Sequence, residues 1–245
     1  MKALILAAGR GTRISRYLSG RPKCTVDIGG ISLIENTIEK LDSMGIKDIA
    51  IIVGYNQNEI RKTLKDYNVK FYYNPFYDVT NSVASAWFAK DFIEENDDII
   101  IMNGDVYAEK ALLEDVIKET LSPVLFADNT RKEEADYKFL YENNILKKYG
   151  KELEGSDITG EYVGIAKINK DFINEFKESL EFMIENQNHS LWWENALYRL
   201  SKKHNIYVKD VDGKFWAEVD YIEDYERILK FRNYDLEFNL NVLKH

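Results

Sequence analysis

Met1-Lys-Ala-Leu-Ile-Leu-Ala-Ala-Gly-Arg-Gly-Thr-Arg13, with Arg21-Pro22-Lys23 and Gly29-Gly30-Ile-Ser-Leu-Ile-Glu-Asn36 behind it, decides how this chain reads. Residues 2–7 are an apolar run of strand length. Two small residues and Gly9-Arg10-Gly11-Thr12-Arg13 follow before any helical pattern begins. A strand that empties into a glycine-rich loop carrying cations sets backbone N–H groups and positive charge against phosphate. No Gly-Lys-Ser/Thr follows at Walker A spacing, and Ile14 stands where a dinucleotide fingerprint needs its third glycine. Spacing alone leaves a purely structural tight turn open.

The rest of the chain narrows the class. A length of 245 residues without a linker predicts one domain over residues 1–245. The formal charge of -9 argues against a general nucleic-acid-binding face. Arg10, Arg13, Arg16, Arg21 and Lys23 nevertheless concentrate cations around the glycine loop. The single cysteine, Cys24, excludes an internal disulfide and fits a reducing cytoplasm. Leu4–Ala8 is too short for the core of a signal peptide. No stretch approaches the ~20 apolar residues of a membrane helix.

Periodicity predicts helices at Ile31–Met44, Gln57–Lys65 and Ser82 to about Phe92, and strands at Asp48–Val53, Val69–Tyr73 and Ile99–Met102. This alternation implies parallel strands with right-handed crossovers. Ligands then gather at the carboxyl ends of the strands, where residues 8–13, 54–55 and 103–105 sit. Pro123–Ala127 reads as a strand and Asp128–Asp136 as a loop. Tyr137–Tyr141, Ile145–Tyr149 and Tyr162–Ile168 read as antiparallel strands that wall a pocket. Helices at Lys170–Glu185, Leu191–His204 and Asp224–Phe231, a strand at Ile206–Val211 and a packing arm at Asn233–His245 complete the expectation.

Leu6-Ala-Ala-Gly-Arg-Gly-Thr-Arg13 with Lys23 in Pro-Lys resembles the signature of nucleotidyltransferases that activate phosphorylated small molecules. The likeness continues through Gly29–Asn36, Gly104-Asp105, Tyr162–Lys167 and Glu218-Val-Asp220-x-x-x-Asp224. Ile14–Ser19 and Cys24-Thr25 depart from the usual pattern. The resemblance implies a Rossmann-like α/β fold, with a mixed, mostly parallel sheet flanked by helices and a smaller antiparallel substrate-side wall. It implies that Leu6, Ala8, Gly9, Arg10, Gly11, Thr12 and Gly104 bind an NTP, that Arg13 holds the β and γ phosphates, and that Lys23 contacts the α-phosphate.

Such a reaction needs the attacking oxygen, the α-phosphorus and the departing pyrophosphate in line, with positioning and charge neutralisation from the protein. Magnesium takes a few carboxylates, with phosphate oxygens and water filling its octahedron. Asp105 sits directly after the 99–102 strand, behind a glycine, where it is either a metal ligand or a turn cap. In the alternating stretch Trp216–Asp220, Glu218 and Asp220 share a face. The family pattern favours Asp220 as the second metal ligand and leaves Asp224 as a helix N-cap.

Val53-Gly54-Tyr55 and Asn81-Ser82-Val83-x-Ser85 resemble the pyrimidine-contacting segments of bacterial CTP:phosphocholine cytidylyltransferases, with helix capping the alternative for Asn81 and Ser82. The acceptor side rests on Trp192-Trp193-Glu194, Tyr162 and Glu161, an aromatic and acidic set suited to a cationic head. Of the two tryptophans, Trp193 is the expected substrate contact, and Glu218 is a further expected substrate contact. Packing of a helix onto the sheet is the alternative for the tryptophan pair, since one of two neighbours normally faces inward. A phosphoglutamine acceptor, as in a related cytidylyltransferase, needs a cation for its carboxylate, which Arg131, Lys132 or Lys138 can supply. The expected reaction is transfer of CMP from CTP to a small phosphorylated acceptor, for cell-surface polysaccharide modification. A sugar- or inositol-1-phosphate acceptor is one alternative, and a nucleotide-binding regulatory protein without turnover is another.

Overall fold

The computed structural model describes residues 1–11, 13–14, 17–93, 96–132 and 134–233; Thr12 and the packing arm expected beyond Asn233 lie outside the described residues. In chain order the elements are β1 (Lys2–Ala7), α1 (Leu33–Ser43), β2 (Asp48–Val53), α2 (Gln57–Thr63), β3 (Lys70–Tyr73), α3 (Ser82–Phe88), β4 (Ile99–Asn103), β5 (Val106–Ala108), α4 (Lys110–Lys118), β6 (Val124–Asp128), β7 (Lys138–Glu142), β8 (Ile145–Gly150), β9 (Gly160–Ile168), α5 (Ile173–Glu185), α6 (Asn195–Leu200), β10 (Tyr207–Asp210), β11 (Trp216–Glu218) and α7 (Ile222–Phe231).

The main sheet runs β3-β2-β1-β4-β9-β6-β10-β8-β7, and β7 also pairs with β9. From β3 to β4 every pairing is parallel, with Leu4 opposite Ala50 on one side and Ile101 on the other. β1 is buried along its length, as a central strand covered on both faces must be. Its alternation sorts the core. Leu4 and Leu6 pack with α3, α5 and α6, whereas Ala3, Ile5 and Ala7 pack with α1, α2 and α4.

Beyond β4 the pairings are antiparallel, except that β10 runs parallel to β6. Tyr162–Ile168 belongs to β9, which is wedged between β4 and β6 in the middle of the sheet rather than set apart in a side wall. The β7–β8 hairpin bridges from β9 to β10, so this half of the sheet curls back on itself. A second, two-stranded ladder pairs β11 with β5 antiparallel. The mixed sheet flanked by helices is a Rossmann-like α/β arrangement.

Several elements are shorter than periodicity suggested. α1 starts after Ser32, whose hydroxyl accepts from the Glu35 N–H while Glu35 accepts from the Ser32 N–H. The helix expected over Leu191–His204 is reduced to α6. Residues 189–193 spend their backbone groups on α3 instead: the Asn81 and Val83 N–H groups donate to the carbonyls of His189 and Leu191. The Trp193 N–H in turn donates to the Ser82 hydroxyl. α7 begins earlier than expected, and Asp224 is not its N-cap; its carboxylate accepts from the Tyr221 N–H at 3.0 Å, one turn inside the helix.

Candidate active site

β1 delivers the chain to the glycine loop, and the ends of β2 and β4 clasp its root. The Gly104 N–H donates to the Leu6 carbonyl at 2.8 Å, and the Tyr55 N–H to the Ala8 carbonyl at 2.9 Å. Gly11 adopts φ +61°, and a Cβ there would lie 2.6 Å from the Lys23 side chain. The loop therefore closes on the lysine stem only because residue 11 has no side chain.

Lys23 opens a short 3₁₀ turn, and its ammonium forms ion pairs with Asp105, at 3.1 Å, and with Asp220. The β5–β11 ladder brings these distant carboxylates together. Glu218 pairs with Val106, and the Val219 N–H donates to the Asp105 carbonyl at 2.9 Å. α7 pins the arrangement from behind: Tyr225, Ile228 and Leu229 pack with Ile14, Leu18, Val26 and Ile28, and the Tyr225 hydroxyl donates to the Asp27 carbonyl. Carboxylate oxygens of Asp105, Glu218 and Asp220 lie within 4.8 Å of one another. Arg13 pairs with Asp220 and reaches Asp136 at 3.4 Å, and Asp136 also pairs with Lys151 at 2.9 Å.

Burial opposes the charge on Lys23, yet Asp105 and Asp220 hold its ammonium above the ordinary lysine range. Asp220 likewise raises Arg13. Burial, reinforced by Asp105 and Asp220, pushes the Glu218 carboxyl well up against the opposing pull of Lys23. Cys24 lines the floor beside Lys23, and burial raises its thiol, so it is no ready nucleophile.

Two cavities meet at this charged centre. The first, of about 330 Å³, is lined by Leu6, Ala8, Gly9, Asn81, Ser82, Ser85, Gly104 and Asp105, with Tyr77 and Thr80. The second, of about 480 Å³, is lined by Arg10, Arg13, Asp136, Tyr137, Lys151, Glu161, Tyr162, Glu194 and Asp220. Gly11, Lys23, Asn81, Asn103, Trp192 and Glu218 border both. Both volumes fall in the range of small-molecule sites, ~300–1,000 Å³.

Most residues singled out from the sequence therefore converge, with exceptions that have physical reasons. Gly54 and Tyr55 line neither cavity. A Cβ at Gly54 would sit 2.7 Å from both the Ala8 carbonyl oxygen and the Tyr77 Cβ, so this glycine permits packing behind the wall. The Tyr55 ring meets Tyr77 edge-on at 6.2 Å and lies under Arg10. Asn81 caps α3, its side-chain oxygen accepting from the Ser82 N–H, while it also lines the wall.

Trp193 is the clearest correction: it is fully buried, its indole N–H donates to Asn103 at 3.1 Å, and it touches neither cavity. Its neighbour Trp192, 40% exposed, takes the cavity position. Of two adjacent aromatics only one can face the core, and the 189–193 backbone contacts decide which. Arg131 and Lys138 are committed elsewhere, to Glu134 and Glu161 and to the carbonyls of Lys151 and Leu153. Lys132 lies outside the second cavity, whose cations are Arg10, Arg13, Lys23 and Lys151, the last over the Trp192 ring at 5.5 Å.

The second cavity is walled by Tyr137, which meets Trp192 edge-on at 5.4 Å and Tyr162 at 6.5 Å. Tyr137, Asp136 and Lys151 carried no local signal in the sequence, because strand and loop residues alternate without marking a cavity. The buried Glu194 Oε2 and Tyr162 hydroxyl have no hydrogen-bond partner among the described residues. Burial pushes the Glu194 carboxyl up to about 8.

The chain belongs to the MobA-like NTP transferase family, whose profile matches residues 3–157. It is 31% identical to the CTP:phosphoglutamine cytidylyltransferase of Campylobacter jejuni, over 92% of this chain and 98% of that one. It is also 31% identical to the choline-phosphate cytidylyltransferase of Streptococcus pneumoniae, over 95% and 100% of the two chains. The solved CTP:phosphocholine cytidylyltransferase of Streptococcus pneumoniae superposes with a TM-score of 0.75 at 22% identity, over 94% and 98% of the chains. The inositol-1-phosphate CTP transferase of T. maritima gives 0.76 at 19% identity, over 94% and 96%.

Proposed function

We propose that this protein is a magnesium-dependent cytidylyltransferase that transfers CMP from CTP to a small phosphorylated acceptor with a nitrogenous head, of the phosphoglutamine or phosphocholine type. The observation that carries this reading is the shared border of the two cavities at Lys23 and Glu218. One cavity has the backbone and short polar groups that suit a nucleotide. The other has the aromatic and acidic wall that suits a nitrogenous head. The reacting phosphorus belongs where they meet. The full-length similarity to the two cytidylyltransferases supports the base and the acceptor class.

An oxygen of the acceptor phosphate attacks the α-phosphorus of CTP, the bond from that phosphorus to the bridging oxygen breaks, and pyrophosphate leaves. The nucleophile is already an anion, so no general base is required. Lys23, held charged by Asp105 and Asp220, neutralises the equatorial oxygens as the pentacoordinate centre forms. Arg13 and Arg10, on the loop, hold the departing phosphates, where a guanidinium's paired donors match phosphate geometry.

Asp105, Glu218 and Asp220 offer oxygens of the right type at a spacing that one small divalent cation can gather, and they are the residues that would hold magnesium. When bound, magnesium neutralises phosphate charge and orients the phosphate oxygens. Gly9 and Gly104 leave room for the triphosphate, while Asn81, Ser82 and Ser85 face the base. Glu161, Glu194, Tyr162 and Trp192 receive the acceptor head. The CDP-linked product is an activated donor, consistent with use in cell-surface polysaccharide modification by a cytoplasmic enzyme.

The test is pyrophosphate release with CTP and magnesium against phosphocholine, phosphoethanolamine, L-glutamine phosphate, inositol-1-phosphate and hexose-1-phosphates. UTP, GTP and ATP serve as controls. Turnover with CTP and a nitrogenous acceptor is expected. Turnover only with a sugar or inositol phosphate would overturn the acceptor class, and turnover only with another NTP would overturn the base.

A further inference from the structure

Asn74 stands behind the first cavity, fully buried, in the turn that follows β3. Its side-chain oxygen accepts from the Phe76 backbone N–H at 2.9 Å, which fixes the orientation of the amide, since an N–H requires an acceptor there. Its amide nitrogen therefore faces two hydroxyls, donating to Thr80 at 3.1 Å and to Ser85 at 3.0 Å. The Thr80 hydroxyl passes its own hydrogen to the Phe76 carbonyl at 2.7 Å. Ser85 differs. Its oxygen takes the Asn74 hydrogen, its own hydrogen has no acceptor among the described residues, and it lines the cavity. A hydroxyl can donate one hydrogen and accept at its lone pairs, so a neighbour that can only donate to it turns its hydrogen outward.

We infer that Asn74 is a positioning residue that fixes Ser85 as a hydrogen-bond donor to the bound base, so that the base must present an acceptor, a carbonyl oxygen or an unprotonated ring nitrogen, at that point. This rests on the nucleotide reading of the first cavity. It assigns the discrimination to a residue that never touches the ligand. A pyrimidine offering O2 or N3 satisfies the Ser85 hydrogen, and a base edge presenting an N–H there leaves two donors facing each other, which a buried site penalises.

The test is a double-mutant cycle read by calorimetric titration of CTP, without acceptor, so that binding is separated from turnover. Ser85→Ala should weaken CTP by ~10-fold, the effect of one buried hydrogen bond to a partner that cannot be resolvated. Asn74→Ala should weaken it by a similar or smaller factor when Ser85 is present and by nothing further in the S85A background. Asn74→Asp keeps the acceptor for the Phe76 N–H but replaces the NH2 with an oxygen, drawing the Ser85 hydrogen inward. It should match or exceed the loss of S85A. Thermal melting of each variant checks that the fold is intact. Equal losses from N74A in both backgrounds would show that Asn74 merely supports the 74–80 turn, and would overturn the inference. Failure of the unchanged protein to bind CTP would instead remove the nucleotide reading itself.

Discussion

The two cavities proposed for the nucleotide and for the acceptor head are built from different materials. The nucleotide side is made of backbone groups, glycines and short polar side chains, most of them in the stretches 6–11, 81–85 and 103–105. The acceptor side is made of large aromatic rings and carboxyls drawn from residues 136–137, 161–162, 192 and 194. A polyphosphate is recognised by charge and close approach, which a loop can supply by itself. A nitrogenous head needs a shaped, partly desolvated wall, and that wall has to be assembled from several elements. The consequence is visible in the electrostatics: Lys23 is held charged by its neighbours, whereas Glu194 is pushed by burial toward its protonated form.

Lys23 borders both sides, so its loss should have the largest effect. Lys23→Ala is expected to lower turnover ~10²–10³-fold or more, on the scale of removing a donor that stabilises transition-state charge. Single-turnover pyrophosphate release, with circular dichroism to show an intact fold, measures it. Unchanged kinetics would mean that the shared border is not the reaction centre. Asp105→Asn should come next, weakening divalent-ion binding at least ~10-fold, on the scale of altering a carboxylate in or beside a metal site. Titration with Mn2+ followed by paramagnetic resonance reads it directly, and an unaltered isotherm would dismiss the ligand role.

The adjacent tryptophans divide the comparison more finely. Trp193→Ala removes a core ring and should cost ~3–5 kcal/mol of stability. CTP and acceptor should suffer alike. Trp192→Ala should leave the melting temperature nearly unchanged and raise the acceptor KM a few-fold. Reversed phenotypes would show that the wall is built from the other ring.

Glu194→Gln should raise the acceptor KM ~10-fold above pH 8, where the carboxylate is charged and its contact to a cationic head is charge-assisted, and by less at lower pH, with the CTP KM unchanged. It also tests the burial. The folded protein retains the Glu194 proton where the unfolded chain releases it, so stability falls as pH rises from the ordinary 4.5 toward about 8. The slope approaches ~1.4 kcal/mol per pH unit within that window. E194Q should flatten this part of the curve, and parallel curves for the two proteins would show that Glu194 is not held protonated.

The same division governs what could be read from residues alone. The glycine loop, Lys23, Asp105 and Asp220 each carry a local mark: a strand ending in glycines, a cation in Pro-Lys, a carboxylate behind a buried strand, an alternating acidic stretch. The convergence of the glycine loop and Asp105 follows once parallel strands are inferred, because strand ends gather on one edge of the sheet. Asp220, by contrast, is brought in by the antiparallel β5–β11 ladder, and Lys23 by a 3₁₀ turn closed against Gly11. Gly54 shows the limit of that logic. A glycine beside a ligand and a glycine beside a neighbouring carbonyl look alike in a sequence, and only the 2.7 Å approach to Ala8 tells them apart. Residues 191–193 show another limit, since their helical periodicity is overridden by hydrogen bonds to the start of α3.

The sequence by itself determined the α/β class and the glycine-rich loop, and marked Asp105 and Asp220 as candidates, because each is signalled by its near neighbours in the chain through local rules of period, spacing and charge. Tertiary structure alone decided that β9 runs through the centre of the sheet, that Trp192 rather than Trp193 faces the cavity, and that Tyr137, Lys151 and Glu194 share a wall. These outcomes depend on which distant segments compete for the same backbone groups and buried volume. That competition is settled only when the whole chain packs at once.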